Sequence, residues 1–208
     1  MNTPLDALIA ARVVPVVVLH DAATAEPLAD ALVAGGIRAI EITLRTPAGL
    51  DALASLASRD DLIVGAGTVT SQRELADVRA AGARFAVSPG FDADLVDAAR
   101  ETDVLPVPGI GSATDAQAAR RAGLDHVKVY PAGVLGGLPF IRALHGPFPE
   151  MRFMPSGGVD QAKAAEYLAD PAIFAVSGSW MVPAEAIRAG DFETITTLAR
   201  TTMAALDA

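Results

Sequence analysis

The sequence predicts an α/β fold in which eight parallel strands alternate with helices in a single (β/α)8 barrel, the TIM-barrel architecture, preceded by a short N-terminal helix. Short β-branched runs alternate with Ala- and Leu-rich amphipathic segments along the whole chain of 208 residues. The strand-like runs begin roughly every 19–26 residues, about the length of one strand-plus-helix unit. Because no linker or low-complexity stretch interrupts this alternation, residues 1–208 are expected to form one domain.

The strands are predicted from short runs rich in valine, isoleucine and other apolar residues, at 13–19, 39–44, 62–65, 85–88, 104–107, 126–130, 152–155 and 174–177. Helix starts are predicted where an N-capping residue precedes an amphipathic segment. Capping boxes begin at Ser71 and Thr114, while Asp92 and Asp160 are single caps. Pro15 conflicts with a buried strand, so we expect it to mark a strand start or a bulge.

The main alternative fold is a doubly wound open sheet. Such a sheet is expected to carry a glycine-rich phosphate fingerprint directly after its first strand. Here the first predicted strand ends in Leu19-His20-Asp21, without a glycine. The barrel is therefore favoured.

Composition narrows the classes of partner and site. The formal net charge of −9 argues against nucleic acid or an anionic membrane as a partner, although a local pocket can still bind a small anion. No apolar run is long enough to span a membrane, and no basic segment precedes an apolar stretch at the N-terminus. The absence of cysteine excludes disulfides, thiolate metal sites and cysteine nucleophiles, and it fits a cytoplasmic enzyme. The three histidines, His20, His126 and His145, are scattered without metal-ligand spacing, so we expect neither a metal nor a cofactor.

Lys128 is the candidate nucleophile. The chain has two lysines among its 16 basic residues, and Lys128 lies inside the apolar run 126–131. An arginine there would stay protonated, whereas a desolvated lysine can lose its proton and attack a ketone to form a Schiff base. The plainer interpretation is a strand lysine whose amine reaches solvent. Lys163, between Asp160 and Glu166, looks like part of a solvated helix face.

Side-chain alternation places a carboxylate in the same interior. In the run 126–130 the two valines share one face, which leaves Lys128 on the other. In the run 39–44 the isoleucines and the leucine share one face, which leaves Glu41 on the other. If the apolar faces meet the helices, Lys128 and Glu41 both point into the barrel. A purely structural buried ion pair is the alternative, but such a pair near the catalytic rim is more often functional.

The ends of the strands supply candidate ligand contacts. The segment 65–68 is expected to bring backbone close to a ligand and to offer the hydroxyl of Thr68. Glycine-containing loops at 156–158 and 177–179 follow the last two predicted strands, the usual phosphate site of such barrels. One Ser-Gly-Gly alone is more often a turn, but two such loops favour phosphate. Arg45 offers a guanidinium that fits a carboxylate, or alternatively a rim salt bridge.

Six segments together resemble the 2-keto-3-deoxy-6-phosphogluconate (KDPG) aldolases, which overlap with the 4-hydroxy-2-oxoglutarate (KHG) aldolases. They are EITLRT at 41–46, GAGTV at 65–69, SPG at 88–90, VPGI at 107–110, VKVYPA at 127–132 and GSW at 178–180. The resemblance covers essentially the whole chain in order. It implies a cofactor-free class I aldolase of the Entner–Doudoroff pathway, cytoplasmic and homotrimeric, that cleaves KDPG to pyruvate and glyceraldehyde 3-phosphate.

The resemblance also implies roles for individual residues. Lys128 matches the Schiff-base lysine, and Glu41 the general acid/base. The implied substrate contacts are Arg45 and Thr68 for the pyruvate carboxylate, Gly157, Gly158 and Ser179 for the phosphate, Ser156 for the configuration at C4, and Pro89 and Tyr130 elsewhere in the pocket.

Two substrate positions depart from the usual pattern of the family. Tyr130 stands where the lysine strand usually has a second phenylalanine, which adds a hydroxyl beside the amine. Ser156 stands where threonine is common, so the hydroxyl is kept and a methyl is lost. This loss is expected to loosen discrimination between C4 epimers.

Several functions stay open at this point. Within the family, the substrate could be KHG or the galactonate epimer of KDPG. A metal-dependent barrel lyase or decarboxylase is disfavoured by the lack of a His/Asp/Glu cluster. A non-catalytic barrel that binds a phosphorylated sugar acid would bind its ligand without forming an imine.

Overall fold

The computed structural model describes residues 3–207. Its strands are β1 (Val13–Val17), β2 (Ala39–Thr43), β3 (Ile63–Gly67), β4 (Phe85–Val87), β5 (Leu105–Val107), β6 (Gly109–Ile110), β7 (His126–Val129), β8 (Arg152–Pro155) and β9 (Val176–Gly178). Its α-helices are α1 (Pro4–Ala11), α2 (Ala25–Ala34), α3 (Gly49–Ser55), α4 (Gln72–Ala80), α5 (Ala93–Arg100), α6 (Ala113–Arg121), α7 (Gly137–His145), α8 (Gln161–Leu168), α9 (Ala184–Ala189) and α10 (Phe192–Leu206), and a 3-10 helix spans Ala22–Thr24.

Each of the eight predicted runs overlaps a strand, but the fifth position holds two. The predicted run 104–107 becomes β5, and β6 follows it directly after Pro108. Pro108 stands at the interruption, where it has no backbone N–H to donate to a neighbouring strand. Pro15, by contrast, lies inside β1 and pairs with Gly178 of β9, so our expectation of a strand start or a bulge was wrong.

The fold is α/β, with a curled sheet of parallel strands. Six strands pair in the order β5-β4-β3-β2-β1-β9, and three more pair as β6-β7-β8. The two sheets approach each other on both sides. Isolated parallel bridges join Phe153 to Ile173 and Ser156 to Ser177. On the other side the N–H of Gly109 in β6 donates to the carbonyl of Ser88, directly after β4.

Most of the predicted helix caps are present. The side chains of Ser71, Asp92 and Asp160 accept backbone N–H bonds at the starts of α4, α5 and α8. The predicted cap at Thr114 was wrong, because Ser112 caps α6. The predicted N-terminal helix is α1, and its cap is a reciprocal pair between Thr3 and Asp6.

The hydrophobic residues form two cores. The larger one lies between the helices and the outer face of the strands. The smaller one fills the space inside the curled sheet, where side chains from β1 to β5, β8 and the segment 174–175 meet. Leu8 and Ala11 of α1 belong to this inner core. The inner core is apolar, whereas the carboxyl ends of the strands carry polar side chains, so the carboxyl ends are where ligand chemistry is expected.

Candidate active site

The structure brings the sequence-predicted site residues to one end of the sheet. Lys128 lies within β7, and the others lie in strands or within three residues after them, as expected for a barrel of parallel strands. They are Glu41 in β2, Arg45 after β2, Thr68 after β3, Pro89 after β4, Tyr130 after β7, Ser156, Gly157 and Gly158 after β8, and Ser179 after β9.

Lys128 and Glu41 meet inside the sheet. The Lys128 side chain is 6% exposed and the Glu41 side chain 1% exposed. The Lys128 Nζ lies 3.5 Å from Oε1 of Glu41. The interior position that side-chain alternation predicts for each residue is therefore confirmed. The pair puts a primary amine next to a carboxylate where water has little access.

Glycines in β3 make room for this pair and its neighbours. A Cβ on Gly67 would overlap the carboxylate of Glu41, and one on Gly65 would overlap the ring of Phe85. The space beside these glycines is therefore filled by protein side chains. We expected the segment 65–68 to bring its backbone close to a ligand. Gly65 and Gly67 instead leave room for the side chains of Phe85 and Glu41.

The two carboxylate oxygens of Glu41 have different surroundings. Oε2 accepts a hydrogen bond from the Ser177 hydroxyl at 3.4 Å. Within residues 3–207, no group donates a hydrogen bond to the buried Oε1. A buried carboxylate oxygen without a donor is costly. It is also free to take a proton from a substrate, so Oε1 is the oxygen that can act as a base.

One end of the cleft suits a small carboxylate. A cavity of about 220 Å³ is lined by Arg45, Thr68, Pro89, Lys128 and Tyr130. Arg45 Nε donates to the Thr68 hydroxyl at 3.1 Å, which holds the guanidinium over this cavity. Thr68 has a φ of 63°, a left-handed conformation that threonine rarely adopts. Such strain is found at functional sites, and here it sets the position of the Thr68 side chain.

The other end suits a phosphate. A cavity of about 210 Å³ is lined by Arg45, Tyr130 and the loops after β8 and β9. The carbonyls of Ser156 and Gly157 accept hydrogen bonds from the N–H groups of Ala132 and Gly133. In a planar trans peptide the N–H points opposite to the carbonyl. The N–H groups of Gly157 and Gly158 therefore point away from the 132–133 segment, and successive N–H groups of this kind bind anions.

Tyr130 and Arg45 line both cavities, so the cavities are two ends of one cleft. Tyr130 is 36% exposed, and its ring centroid lies 5.5 Å from the Lys128 Nζ. The amine thus lies beside the Tyr130 ring at the junction of the two ends. A molecule with a carboxylate at one end and a phosphate at the other would pass its middle carbons over Lys128.

One groove outside this cleft offers less chemistry. A groove of about 380 Å³ between α4 and α5 has Arg79 as its one charged lining residue. Within residues 3–207, no three His, Cys, Asp or Glu side chains are grouped to hold a metal ion. None of the helices described there is both long enough and apolar enough to cross a membrane.

Sequence reasoning did not identify the Ser177 side chain. Residues 177–179 were interpreted as a loop of backbone donors, yet the Ser177 hydroxyl is completely buried beside Glu41. The available signal was a polar residue next to Val176 in an otherwise apolar strand, which places it on the opposite, inward face.

Comparison with known proteins gives consistent matches. The sequence model described as "KDPG and KHG aldolase" matches residues 6–198. The 2-dehydro-3-deoxy-phosphogluconate aldolase of Pseudoalteromonas atlantica is 46% identical over 193 residues, covering 92% of this chain and 90% of that protein.

Two solved structures are similar over nearly their whole length. The KDPG aldolase of Legionella pneumophila, with pyruvate captured as a covalent carbinolamine, superposes with a TM-score of 0.92 at 40% identity, covering 97% of this chain and 98% of that one. The 2-keto-3-deoxy-6-phosphogluconate aldolase of Zymomonas mobilis with 3-phosphoglycerate superposes with a TM-score of 0.89 at 40% identity, covering 95% and 94%.

Proposed function

Because the chain belongs to the KDPG and KHG aldolase family, we propose that it is a class I aldolase that cleaves KDPG to pyruvate and glyceraldehyde 3-phosphate. The observation that carries this proposal is the Lys128 amine, buried 3.5 Å from the Glu41 carboxylate between a carboxylate pocket and a phosphate pocket. A Schiff-base enzyme needs such an amine, with an acid/base within reach of the same carbons.

Substrate binding uses both ends of the cleft. Arg45 and Thr68 take the C1 carboxylate of KDPG, and Pro89 and Tyr130 pack against the carbons between. The backbone of Gly157 and Gly158, together with Ser179, takes the C6 phosphate. With both ends held, C2 lies beside the Lys128 Nζ, which gives the short, oriented approach that accelerates a bimolecular step.

Cleavage begins at C2. Neutral Lys128 attacks the C2 ketone to form a carbinolamine, whose hydroxyl takes up a proton from solvent and leaves as water to give a protonated imine. The imine is an electron sink, so the electron pair of the C3–C4 bond moves toward nitrogen when that bond breaks. Glu41 takes the proton of the C4 hydroxyl, directly or through one water, and glyceraldehyde 3-phosphate leaves.

The enamine left on Lys128 is then converted to pyruvate. Glu41 returns its proton to C3, which regenerates an imine, and water hydrolyses the imine to release pyruvate and the free amine. One carboxylate thus moves protons in both halves of the reaction. General acid–base catalysis of this kind contributes about 10²–10⁴-fold.

The direct test is cleavage of synthetic KDPG, with pyruvate release followed by lactate dehydrogenase and NADH. The wild-type protein is expected to release pyruvate and glyceraldehyde 3-phosphate in equal amounts, with or without EDTA, because the imine supplies the electron sink. Binding of KDPG without pyruvate release would support a sugar-acid sensor instead. Loss of turnover with EDTA would support a metal-dependent lyase.

KHG is the second candidate substrate, since the family description names it beside KDPG. It carries a second carboxylate instead of a phosphate, so it makes fewer contacts with the loops after β8 and β9. The kcat/KM for KDPG is expected to exceed that for KHG. The reverse order would make KHG the preferred substrate.

We also propose that residues 1–208 form a single closed (β/α)8 barrel that works as a homotrimer in the cytoplasm. The bridges at Phe153–Ile173 and Ser156–Ser177 support closure on one side, and the Gly109–Ser88 hydrogen bond supports it on the other. The trimer rests on the resemblance to the family. The cytoplasmic location rests on that resemblance and on the cysteine-free composition. Light scattering is expected to give three times the chain mass of 21.3 kDa.

A further inference from the structure

A short chain of buried hydroxyls leads from the phosphate end of the cleft to Glu41. The Ser156 hydroxyl donates to the Ser177 hydroxyl at 3.4 Å, and the Ser177 hydroxyl donates to Oε2 of Glu41 at 3.4 Å. Ser177 has no exposed surface, and Ser156 is 3% exposed. Ser156 lines the phosphate end of the cleft. Both bonds are long, but bulk water has little access to compete for these groups.

We propose that Ser177 is a positioning residue for the acid/base Glu41. Its hydroxyl holds Oε2 and thereby turns Oε1 toward Lys128 and the substrate carbons. This inference rests on the proposed function, because it assigns Ser177 a role only if Glu41 moves protons on a Lys128-bound substrate.

Packing alone does little to fix the rotation of the Glu41 carboxylate. The terminal torsion of glutamate is broad and roughly two-fold, so a carboxylate plane turns easily unless something holds it. On β3 the register partner of Glu41 is Gly65, and the residue touching the carboxylate is Gly67. Neither has a side chain that can grip the group. Among the described residues, the side chain that donates a hydrogen bond to this carboxylate is Ser177.

The Ser156 hydroxyl sets the direction of the Ser177 hydrogen bond. A hydroxyl has one proton to donate. Because Ser177 accepts from Ser156, its own proton is available for Glu41, and the two bonds reinforce each other. Position 156 is thus linked to the acid/base as well as to the substrate.

The test follows proton transfer with pyruvate alone. In D2O, Glu41 removes a C3 methyl proton from the pyruvate imine, and the C–H electron pair becomes the C2=C3 bond of the enamine. A deuteron then returns from the exchanged carboxyl. NMR of the methyl signal measures this exchange, while borohydride trapping measures imine formation separately.

Ser177→Ala is expected to slow methyl exchange about 10-fold, the loss expected for one hydrogen bond to a charged group, with trapping within about twofold of wild type. Wild-type exchange in Ser177→Ala would overturn the inference. A wild-type protein that does not trap pyruvate would overturn the proposed function, and the inference with it.

Two further variants separate positioning from packing. Ser177→Cys fills the space with a weak donor, so exchange is expected to stay low. Thr43→Val removes another completely buried hydroxyl, one that donates to the Val17 carbonyl at 2.9 Å, and is expected to leave exchange unchanged. Full exchange in Ser177→Cys, or an equal loss in Thr43→Val, would assign the effect to packing.

A double mutant checks that Ser177 acts through Glu41. In a Glu41→Gln background, Ser177→Ala is expected to change the residual exchange by less than about twofold, because the group being positioned is already absent. A further drop of about 10-fold there would show that Ser177 acts independently of Glu41.

Discussion

Two charged clusters in this protein are built in opposite ways. On the surface, the Arg59 guanidinium binds Asp61 through two nitrogens at 2.8 and 3.0 Å, and it also contacts Glu26 at 3.0 Å and Asp30 at 2.6 Å. In the interior, Lys128 lies 3.5 Å from Glu41, and Oε1 of Glu41 lacks a hydrogen-bond donor within residues 3–207.

The difference separates a structural cluster from a reactive one. In the Arg59 cluster the hydrogen bonds that Arg59 donates to Asp61 lower the pKa of the Asp61 carboxyl and raise the pKa of Arg59, so both groups stay charged. The interior pair is buried but less completely bonded, which costs stability. What it gains is an amine and a carboxylate oxygen that are free to react with a bound substrate.

Replacing the amine should have the largest effect. Lys128→Arg is expected to lose imine formation and KDPG cleavage to below detection, because a guanidinium stays protonated and cannot attack a ketone. Trapping with borohydride and pyruvate measures the loss, and circular dichroism checks the fold. The matched control is Lys163→Arg, on the exposed start of α8, which should trap pyruvate normally. Imine formation by Lys128→Arg would contradict the assignment.

Replacing the carboxylate should have the next largest effect. Glu41→Gln is expected to keep imine formation but to lower kcat for KDPG by about 10²-fold or more, because the amide cannot accept and return a proton. Steady-state kinetics and trapping on the same preparation separate the two steps. Turnover close to wild type would remove Glu41 as the acid/base.

Changes at Ser156 should act on selectivity. A hydroxyl that pairs with the C4 region penalises the wrong epimer by about 1–3 kcal/mol. Threonine restricts the rotation of that hydroxyl, whereas valine removes it. Ser156→Thr should therefore sharpen the preference for KDPG over its galactonate epimer, and Ser156→Val should erode it. The ratio of kcat/KM values measures this, and an unchanged ratio in both variants would place C4 selectivity elsewhere.

The surface cluster should show the smallest effect, on stability alone. Arg59→Gln is expected to lower the free energy of unfolding by about 1 kcal/mol at neutral pH and to leave kcat unchanged. Because Arg59 lowers the folded-state pKa of Asp61, its contribution is present above the unfolded pKa of about 4 and is lost as the pH falls through the folded value. Urea unfolding of both proteins at neutral and acidic pH tests this. A stability gap that does not narrow in acid would contradict it.

The parts of the fold that depend on local pattern could be predicted from the sequence. The two-residue period of a strand places Lys128 and Glu41 on inward faces whatever the surrounding structure, and the structure confirms both positions. Asp92 and Asp160 cap helices as predicted, since capping depends on neighbouring residues alone.

Features that depend on distant residues or on competing neighbours could not be predicted. Ser177 reaches Glu41 across 136 positions, and only the stagger of the strands brings them together. Thr114 and Ser112 are both good caps by sequence. Ser112 is used because the Asp115 carboxylate accepts the Gly111 N–H while the Asp115 N–H donates to Ser112. The break between β5 and β6 at Pro108 likewise could not be predicted, because no periodicity reveals it.

One measurement tests the central claim most directly. The protein is incubated with pyruvate and borohydride, digested, and mapped by mass spectrometry. The buried amine beside Glu41 predicts one reduced pyruvyl adduct per chain, on the peptide that contains Lys128, with Lys163 unmodified. An adduct on Lys163, or no adduct on either lysine, would contradict the assignment of Lys128 as the Schiff-base nucleophile.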